Sequence, residues 1–290
     1  MTTVASIDDR SARARTGSPA AREGVITPGH RGWAAWRDLR QAFGLRTLWV
    51  TMGIQGIRRK YRRSVLGPLW LTVSLAFLVA VLGSLYGRLM GVPYETYVPH
   101  LAPGFIAWQF IQGVVNESCN VFIASKGWIL NIRSPLLLYV FRLVWEHLLV
   151  LAHNGLVYIG VALLFGIAAG WPALLLVPAL GLMLLNALWT GVVLGAVCAR
   201  FRDVPQIVQS LMRVAFFATP VIWMPSQLGE RAELAYYNPF AYFVELLRAP
   251  LLGTVPPLGT WAIAVAITAV GVGLAAAVFV VTRPKIAYWL

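Results

Sequence analysis

Charged side chains are scarce in this sequence. Asp, Glu, Lys and Arg make up 12% of its 290 residues and hydrophobic residues make up 59%, whereas a typical soluble domain carries about 25% charged residues. Uncharged runs recur along the chain, and the first extends from Ser64 to Tyr86. Runs of this length are typical of helices that span a bilayer. The composition therefore argues against a soluble domain and predicts an all-α polytopic membrane protein.

Cysteine, histidine and aspartate are also rare. The chain has two cysteines and four histidines, and no H-E-x-x-H pair is present. His147 and His153 are six residues apart, so they do not share a helix face as a pair of metal ligands would. Beyond Asp38 the only aspartate is Asp203, which excludes a D-x-D site, and no G-x-S-x-G motif occurs. We expect no metal, no disulfide framework and no catalytic residues.

Lysine occurs at only three positions, Lys60, Lys126 and Lys285, and none of them follows a glycine. The G-x-x-x-x-G-K-[ST] phosphate loop is therefore absent. We expect the chain to bind no nucleotide cofactor by that route.

The positive charge is concentrated near the N-terminus. Residues 1–63 carry 13 basic and 4 acidic side chains, and the remaining 227 residues carry 11 and 7. The densest cluster, which we call the basic cluster, directly precedes the first apolar run and consists of Arg58, Arg59, Lys60, Arg62 and Arg63. Such a cluster is either a nucleic-acid arm or the cytoplasmic anchor of a span. Its position against a span favours the anchor, so we expect no nucleic-acid partner.

Three regions follow one another along the chain. Residues 1–32 are rich in Ala, Arg, Ser and Gly without an apolar core, which predicts a disordered cytoplasmic tail and no signal peptide. Residues 33–63 interleave large apolar residues with arginine, which predicts an amphipathic helix in the cytoplasmic interface or, alternatively, a plain charged lead-in helix. Residues 64–290 form the predicted transmembrane domain.

Six spans are predicted in that domain, each about 20 residues or longer, which is enough to cross ~30 Å of hydrocarbon. They are residues 65–87, 103–124, 143–167, 172–198, 205–224 and 258–281. The segments on one side of these spans carry twelve Lys and Arg residues, and those on the other side carry three. Because basic segments are retained in the cytoplasm, we expect the first side and both termini there, with 88–100 and 225–257 outside.

The outer connection before the last span contains an apolar stretch, 238–253, that is too short to cross the membrane twice. Pro239, Pro250 and the Pro256–Pro257 pair interrupt it. These features predict helices that dip into the membrane and return, which requires shielding of the backbone by protein or by a cavity.

Polar residues inside the predicted spans are candidates for a substrate path. They are Glu117, Arg142, Glu146, Gln209 and Arg213. Arg142 and Glu146 are four residues apart and can pair on one helix face. Two interpretations stay open, namely a hydrophilic path for a polar substrate, or internal ion pairing such as Glu117 with Arg213. Aromatic residues make up 12% of the chain, and they fit interface belts or stacking surfaces for sugar rings.

Six segments, in the same order, carry a resemblance to a known family. They are "KYRRSVLGPLW" (60–70), "NESCNVFIASKGWI" (116–129), "ARFRDVPQIVQS" (199–210), "FFATPVIWMP" (216–225), "NPFAYFVELLRAPLLG" (238–253) and "KIAYWL" (285–290). Together they resemble permeases of the ABC-2 type, and within these the Wzm-like branch that exports O-antigen, teichoic acid or galactan. One departure is that many members have a proline shortly after the Gly-x-x-Trp turn, where this chain reads "LTVSLAF".

The resemblance implies a permease that forms a homodimer and binds two copies of a separate, Wzt-like ATPase. ATP and Mg²⁺ would then bind to that partner. The complex would lie in the bacterial inner membrane. The implied substrate is a glycan on an undecaprenyl diphosphate carrier, with O-antigen preferred. The basic cluster would attract the diphosphate, or would serve for topology alone.

The resemblance also implies two further sites. A cytoplasmic coupling helix for the ATPase matches 126–135 and includes Lys126, Trp128, Ile129 and Arg133. An outer gate matches the re-entrant stretch 225–253, and its candidate residues are Trp223, Asn238, Pro239 and Phe240.

Three alternatives to this function remain. One is an ABC-2 permease for another lipid or a drug, and another is a membrane enzyme acting on polyprenyl-linked sugars. The third is a gradient-driven flippase, which is expected to show internal repeats that this sequence lacks. The sequence leaves open which glycan is carried, how chain length is controlled and whether the ATPase has a sugar-binding domain.

Overall fold

A computed structural model of the chain describes residues 28–62, 64–132, 134–168 and 170–290, and all side chains in these ranges except those of residues 28–31, 230 and 234. Every regular element in these ranges is helical, as predicted for an all-α protein. Residues 1–27 of the predicted tail lie outside the described residues, and so do Arg63 and Arg133.

Ten α-helices and two stretches of 3-10 helix are present in the described part of the chain. The α-helices are α1 (Pro28–Gly44), α2 (Arg46–Lys60), α3 (Leu69–Leu89), α4 (Tyr94–Ser118), α5 (Lys126–Asn131), α6 (Leu137–Phe165), α7 (Leu176–Arg200), α8 (Val204–Ala218), α9 (Pro239–Leu251) and α10 (Leu258–Trp289). The 3-10 stretches are Trp171–Leu175, which leads into α7, and Pro225–Tyr237, which precedes α9. The segment predicted as one interface helix over 33–63 is thus folded as two helices that meet at Leu45.

Four helices are long and apolar enough to cross a membrane, namely α3, α6, α7 with its 3-10 lead-in, and α10. They correspond to the predicted spans 65–87, 143–167, 172–198 and 258–281. The shortest of them, α3, has 21 residues and is therefore about 31 Å long, which matches ~30 Å of hydrocarbon.

The other two predicted spans differ from these four. α8 has 15 residues and a length of about 22 Å, which is less than the hydrocarbon thickness. It ends at Ala218, and Thr219 has extended backbone, because the residue before Pro220 is disfavoured in helical conformation. α4 has 25 residues but begins at Tyr94, nine residues before the predicted 103, and ends at Ser118 rather than at 124.

α4 lies at the centre of the bundle and packs against α3, α6, α7, α8 and α9. Its Tyr97, Leu101 and Trp108 are almost completely buried. Glycines allow the close approach of α7, because a Cβ at Gly191 would lie 2.7 Å from a methyl carbon of Val140 and one at Gly195 would lie 2.6 Å from Val121. These small residues therefore serve packing within the chain.

The basic segments meet at one end of the bundle. The Lys126 ammonium at the start of α5 donates to the carbonyl oxygen of Leu290, and Arg202 after α7 donates to that of Trp289 at 3.1 Å. The other end holds α9 and the 3-10 stretch before it, where the Tyr158 hydroxyl donates to the carbonyl of Leu251. The segments predicted to share a side of the membrane therefore share an end of the molecule.

α6 begins six residues earlier than predicted because a side chain from α1 caps it. Asp38 is 1% exposed, and its carboxylate accepts hydrogen bonds from the backbone N–H groups of Leu136 at 3.2 Å and Leu137 at 3.1 Å. The Nε–H of Arg283 on α10 also donates to it at 3.0 Å. An acidic group at a helix N-terminus satisfies free N–H donors and favours the helix dipole. One carboxylate thus joins α1, α6 and α10.

Candidate translocation path

A polar cavity of about 300 Å³ opens where α2 ends, between α3, α4 and α6. Its polar lining consists of Lys60, Tyr61, Gln109, Gln112, Asn116, Glu117, Glu146 and His147. Three of the polar residues on α4 lie at positions i, i+3 and i+7, which is one face of a helix. The sequence contains this stripe of amides, Gln109, Gln112 and Asn116, but the interpretation above selected none of the three.

Lys60 and Glu117 form an ion pair at the mouth of this cavity, with 2.7 Å between Nζ and Oε1. Glu117 therefore pairs with α2, and the suggested Glu117–Arg213 pair is wrong. Burial opposes the charged form of the amine, but the hydrogen bond to Glu117 and its charge, with that of Glu146, raise the pKa of Lys60 above its ordinary value. Lys60 is cationic in neutral solution.

Arg142 and Glu146 form the predicted pair on α6, with 3.7 Å between Nε and Oε1. α2 lies directly against this pair because two of its glycines lack side chains. A Cβ at Gly56 would lie 2.4 Å from Oε1 of Glu146, and one at Gly53 would lie 2.7 Å from the Trp145 ring. The G-x-x-G spacing in α2 was available in the sequence as a signal of close packing, and it was missed.

A second cavity of about 310 Å³ adjoins the first and has an aromatic wall. Gln109 and Gln112 line both cavities. The aromatic wall, which we call the aromatic recess, consists of Phe105, Trp108, Phe216 and Phe217. The Phe216 ring lies 5.7 Å from Phe105 and 5.6 Å from Trp108, measured between centroids, which is typical of packed aromatic pairs.

The shared glutamines are fixed by their own hydrogen bonds. The Trp108 Nε1–H donates to Oε1 of Gln112 at 3.0 Å, and the Asn154 side-chain amide donates to Oε1 of Gln109 at 2.8 Å. Both amides are therefore held at the junction between the polar cavity and the aromatic recess. The arrangement forms one path that changes from charged to amide to aromatic along α4.

Arg213 on α8 lines the aromatic recess. Its guanidinium donates to the carbonyl oxygen of Gln209 and to the hydroxyl of Ser210, each at 3.4 Å. Gln209 is exposed but lines neither of the two cavities. Of the predicted polar residues in α8, only Arg213 is therefore placed at the path.

The other described members of the basic cluster are close to Lys60 in the chain. Arg58, Arg59 and Arg62 are exposed, and Lys60 alone among the described members lines the polar cavity. The structure thus distinguishes one lysine, which contacts α4, from three arginines that are free to contact a ligand at the same end.

The predicted coupling segment is the short helix α5. Trp128 is 56% exposed, Ile129 is partly buried against the core, and Lys126 is tied to the C-terminal carbonyl of the chain. α5 therefore presents an aromatic side chain to the outside at the end of the bundle where the basic segments meet.

The predicted gate residues lie at the opposite end and connect to the recess. Asn238 caps α9 by accepting from the N–H of Phe240 at 3.0 Å, and its amide donates to Thr219 at 2.8 Å. Pro239 follows as the first residue of α9, and the Phe240 ring lies 5.7 Å from Trp108. The Trp223 indole donates to the carbonyl of Phe217 at 2.9 Å, so the gate contacts the aromatic wall directly.

Arg248 is a residue of this region that the sequence analysis did not select. It is 2% exposed, and its guanidinium donates to the carbonyl oxygen of Pro220 at 2.7 Å. A Cβ at Gly104 would lie 2.3 Å from that guanidinium, so the glycine makes room for it beside α4. The buried charge fixes the extended segment that joins α8 to the gate.

Metal-ligand groups were also sought in the part of the chain that the structure describes. No group of three or more His, Cys, Asp or Glu residues there is placed to hold a metal ion. The lining of the two cavities comprises basic side chains, carboxylates, amides, a histidine and aromatic rings.

Two comparisons with known proteins bear on this arrangement. A relative from Myxococcus xanthus, the O-antigen export system permease protein RfbA, is 26% identical over 202 residues, which is 68% of this chain and 75% of the relative. The family model for the ABC-2 type transporter matches residues 47–252, which include the whole of the path from α2 to α9. This chain belongs to the ABC-2 type transporter family.

Proposed function

We propose that this chain is the transmembrane permease subunit of an ABC transporter that exports an undecaprenyl-diphosphate-linked polysaccharide, with O-antigen preferred, across the bacterial inner membrane. The observation that carries the proposal is that the polar cavity and the aromatic recess share two lining residues, Gln109 and Gln112. The similarity to an O-antigen export permease supports it.

The chemistry of the path fits such a cargo from one end to the other. A diphosphate arriving at the mouth meets Arg58, Arg59 and Arg62, and guanidinium groups bind phosphate oxygens through paired hydrogen bonds. Sugar hydroxyls then meet the amides of Gln109 and Gln112. The apolar C–H faces of sugar rings can stack on the aromatic recess, so a long glycan can slide without being held tightly at any one point.

The proposal places six helices across the membrane. α4 is surrounded by five neighbouring helices, so its prolines and polar residues do not have to face lipid. α8 reaches the outer side through the extended segment after Ala218, and α9 shields that segment as a re-entrant gate helix. The end with the basic segments faces the cytoplasm, together with both termini.

The proposed assembly is a homodimer of this chain with two copies of a separate, Wzt-like ATPase, which binds ATP and Mg²⁺. α5 is the coupling element, because Trp128 is exposed beside the basic end and can enter a groove of the ATPase. α8 exposes Leu211, Val214 and Phe217, and we propose that a second copy packs against this face.

A deletion strain tests the function directly. Removing the chain should abolish surface polysaccharide while the lipid-linked glycan accumulates inside, and re-expression with the ATPase should restore export. Within that strain, Phe217→Ala should lower export because Phe217 lines the aromatic recess. Phe77→Ala is the matched control, since Phe77 is an exposed phenylalanine of α3 that lines neither cavity.

The alternatives give different results in the same strain. Unchanged surface polysaccharide together with retention of a drug or another lipid would assign the chain to that cargo. Conversion of polyprenyl-linked sugars by the purified chain without an ATPase would make it an enzyme.

A further inference from the structure

An apolar groove of about 420 Å³ lies between α1, α6, α7 and α10. Its walls include Trp36, Leu39, Phe141, Trp189, Ala276 and Phe279. It shares no lining residue with the polar cavity or the aromatic recess, so it is not a branch of the translocation path. Its size is within the range of about 300–1,000 Å³ that is common for pockets of small organic ligands.

The groove belongs to the half of the bundle near the basic end. α7 and α10 both end there, at Arg200 and Trp289, and most of their groove residues lie in their second halves. α1 crosses the groove at that end and contributes Trp36, which is exposed, as is typical of tryptophan at headgroup depth. With the orientation proposed above, the groove faces the lipid of the cytoplasmic leaflet.

An apolar wall alone does not select a ligand inside a membrane. Lipid tails are as apolar as the side chains of the groove, so moving a tail from the bilayer into it gains little free energy. A specific occupant has to be recognised by polar contacts at the rim.

Two arginines continue the walls of the groove beyond its cytoplasmic rim. Arg40 follows Trp36 by four residues on α1, and Arg283 follows Phe279 by four residues on α10, so each lies one turn further along the same face. The Nε–H of Arg283 donates to the buried Asp38, which uses one of the five N–H donors of a guanidinium and fixes the side chain. A guanidinium held in this way is suited to a phosphate group, and Arg40, which is exposed, adds a second positive charge on α1.

We propose that this groove binds an anionic phospholipid of the cytoplasmic leaflet, with an acyl chain in the groove and its phosphate at Arg40 and Arg283. The sequence of residues 1–27 contains no apolar run that would suit the groove. The carrier lipid of the cargo is not favoured either, since its diphosphate is drawn to the basic cluster at a separate cavity. The bound lipid would fasten α1 to the spans beside the Asp38–Arg283 pair.

Two neighbouring alanines of α10 provide a matched test. Ala276 and Ala277 are both exposed, but only Ala276 lines the groove. The full chain and its Ala276→Trp and Ala277→Trp variants are reconstituted in nanodiscs of phosphatidylcholine with a minor fraction of phosphatidylglycerol. Native mass spectrometry then counts the phosphatidylglycerol that each chain retains. We expect wild type and Ala277→Trp to retain it and Ala276→Trp to lose it.

The rim is tested with Arg40→Gln, and Arg46→Gln at another exposed arginine of the N-terminal helices is its control. We expect Arg40→Gln to weaken phosphatidylglycerol retention by about tenfold, the effect of one charge-assisted hydrogen bond, with no change for Arg46→Gln. Equal retention by the two tryptophan variants would overturn the proposal. So would loss of chain–chain association in Ala276→Trp with lipid retention intact, which would assign the groove to a second copy. Displacement of phosphatidylglycerol by added undecaprenyl phosphate would assign it to the carrier.

Discussion

Two ion pairs attach the two N-terminal helices to the bundle, and they differ in burial. Asp38 of α1 is inside the protein, with its side chain 1% exposed, and it pairs with Arg283, which is 35% exposed. Lys60 of α2 and its partner Glu117 are 61% and 41% exposed. The first carboxylate also accepts two backbone N–H groups, whereas Lys60 and Glu117 are joined by one hydrogen bond at a cavity mouth.

This difference separates a structural attachment from an exchangeable one. A buried carboxylate that loses its donors leaves an unsatisfied charge in a low-dielectric interior, so its bonds are not readily given up. An exposed pair contributes about 0–1 kcal/mol, because water competes with it. Anions can therefore replace Glu117 as the partner of Lys60 at small cost, while α1 stays fixed.

The largest effect is expected from Asp38→Ala, which breaks the buried attachment. Removing one partner of such a pair leaves Arg283 and two helix N–H groups without an acceptor, and the expected loss is about 3 kcal/mol of unfolding free energy. Thermal unfolding in detergent measures it. The control is Asp203→Ala, since Asp203 is exposed and forms no side-chain cap at α8. An equal shift in both variants would show that Asp38 contributes no more to stability than an exposed carboxylate does.

A smaller effect is expected from Gly53→Ala, which tests the close packing of α2 against α6. The added Cβ would lie 2.7 Å from the Trp145 ring, and such overpacking costs about 1–3 kcal/mol. Gly155→Ala on α6 is the control, because nothing lies within 4 Å of its position and alanine raises helix propensity by about 1 kcal/mol. The two variants should shift the unfolding temperature in opposite directions. A stabilised Gly53→Ala would mean that α2 is held by its ion pair alone.

The start of α6 shows why part of the fold could not be predicted. The third span was predicted to begin at 143, yet α6 begins at Leu137, where Asp38 caps the amides of Leu136 and Leu137. The cap comes from 98 residues away in the chain, and local propensity carries no information about it. The four apolar spans, by contrast, follow from long uncharged runs in the sequence. Their prediction needs no knowledge of contacts with the rest of the chain.

Other differences had a signal in the sequence. Pro220 disfavours helical conformation at Thr219, so the end of α8 before 224 could have been predicted. The amide stripe on α4 and the G-x-x-G of α2 also follow simple helical spacing. The partner of Glu117 had no such signal. Lys60 is 57 residues away in the chain, and both Lys60 and Arg213 carry a positive charge that could pair with Glu117. Spacing along one helix is therefore readable from the sequence, and pairing between helices is not.

Exchanging the two charges of the Lys60–Glu117 pair separates the contribution of Lys60 to stability from its contribution to transport. Lys60→Glu or Glu117→Lys alone should cost about 1 kcal/mol or less, and the double exchange should restore the unfolding temperature. Export of polysaccharide should still fall in the double variant, because a carboxylate then stands among the arginines of the basic cluster. Surface polysaccharide relative to permease level gives the second measurement. Full export by the double variant would show that Lys60 serves only to fix α2.

The smallest effect concerns pH, and it decides which of two opposing influences on Lys60 is larger. Burial lowers the pKa of a lysine, whereas the hydrogen bond and charge of Glu117 raise it, and the net pKa is above the ordinary value of 10.5. A raised pKa means that the folded state binds the proton more tightly than the unfolded state. The stabilisation by Lys60 is then complete below the unfolded pKa and is lost only as the pH rises through the folded one. The difference in unfolding temperature between wild type and Lys60→Met should accordingly stay constant from about pH 7 to 9. A difference that shrinks within this range would contradict the prediction, because it would mean that burial is the stronger influence and that Glu117 does not hold the ammonium in its charged form.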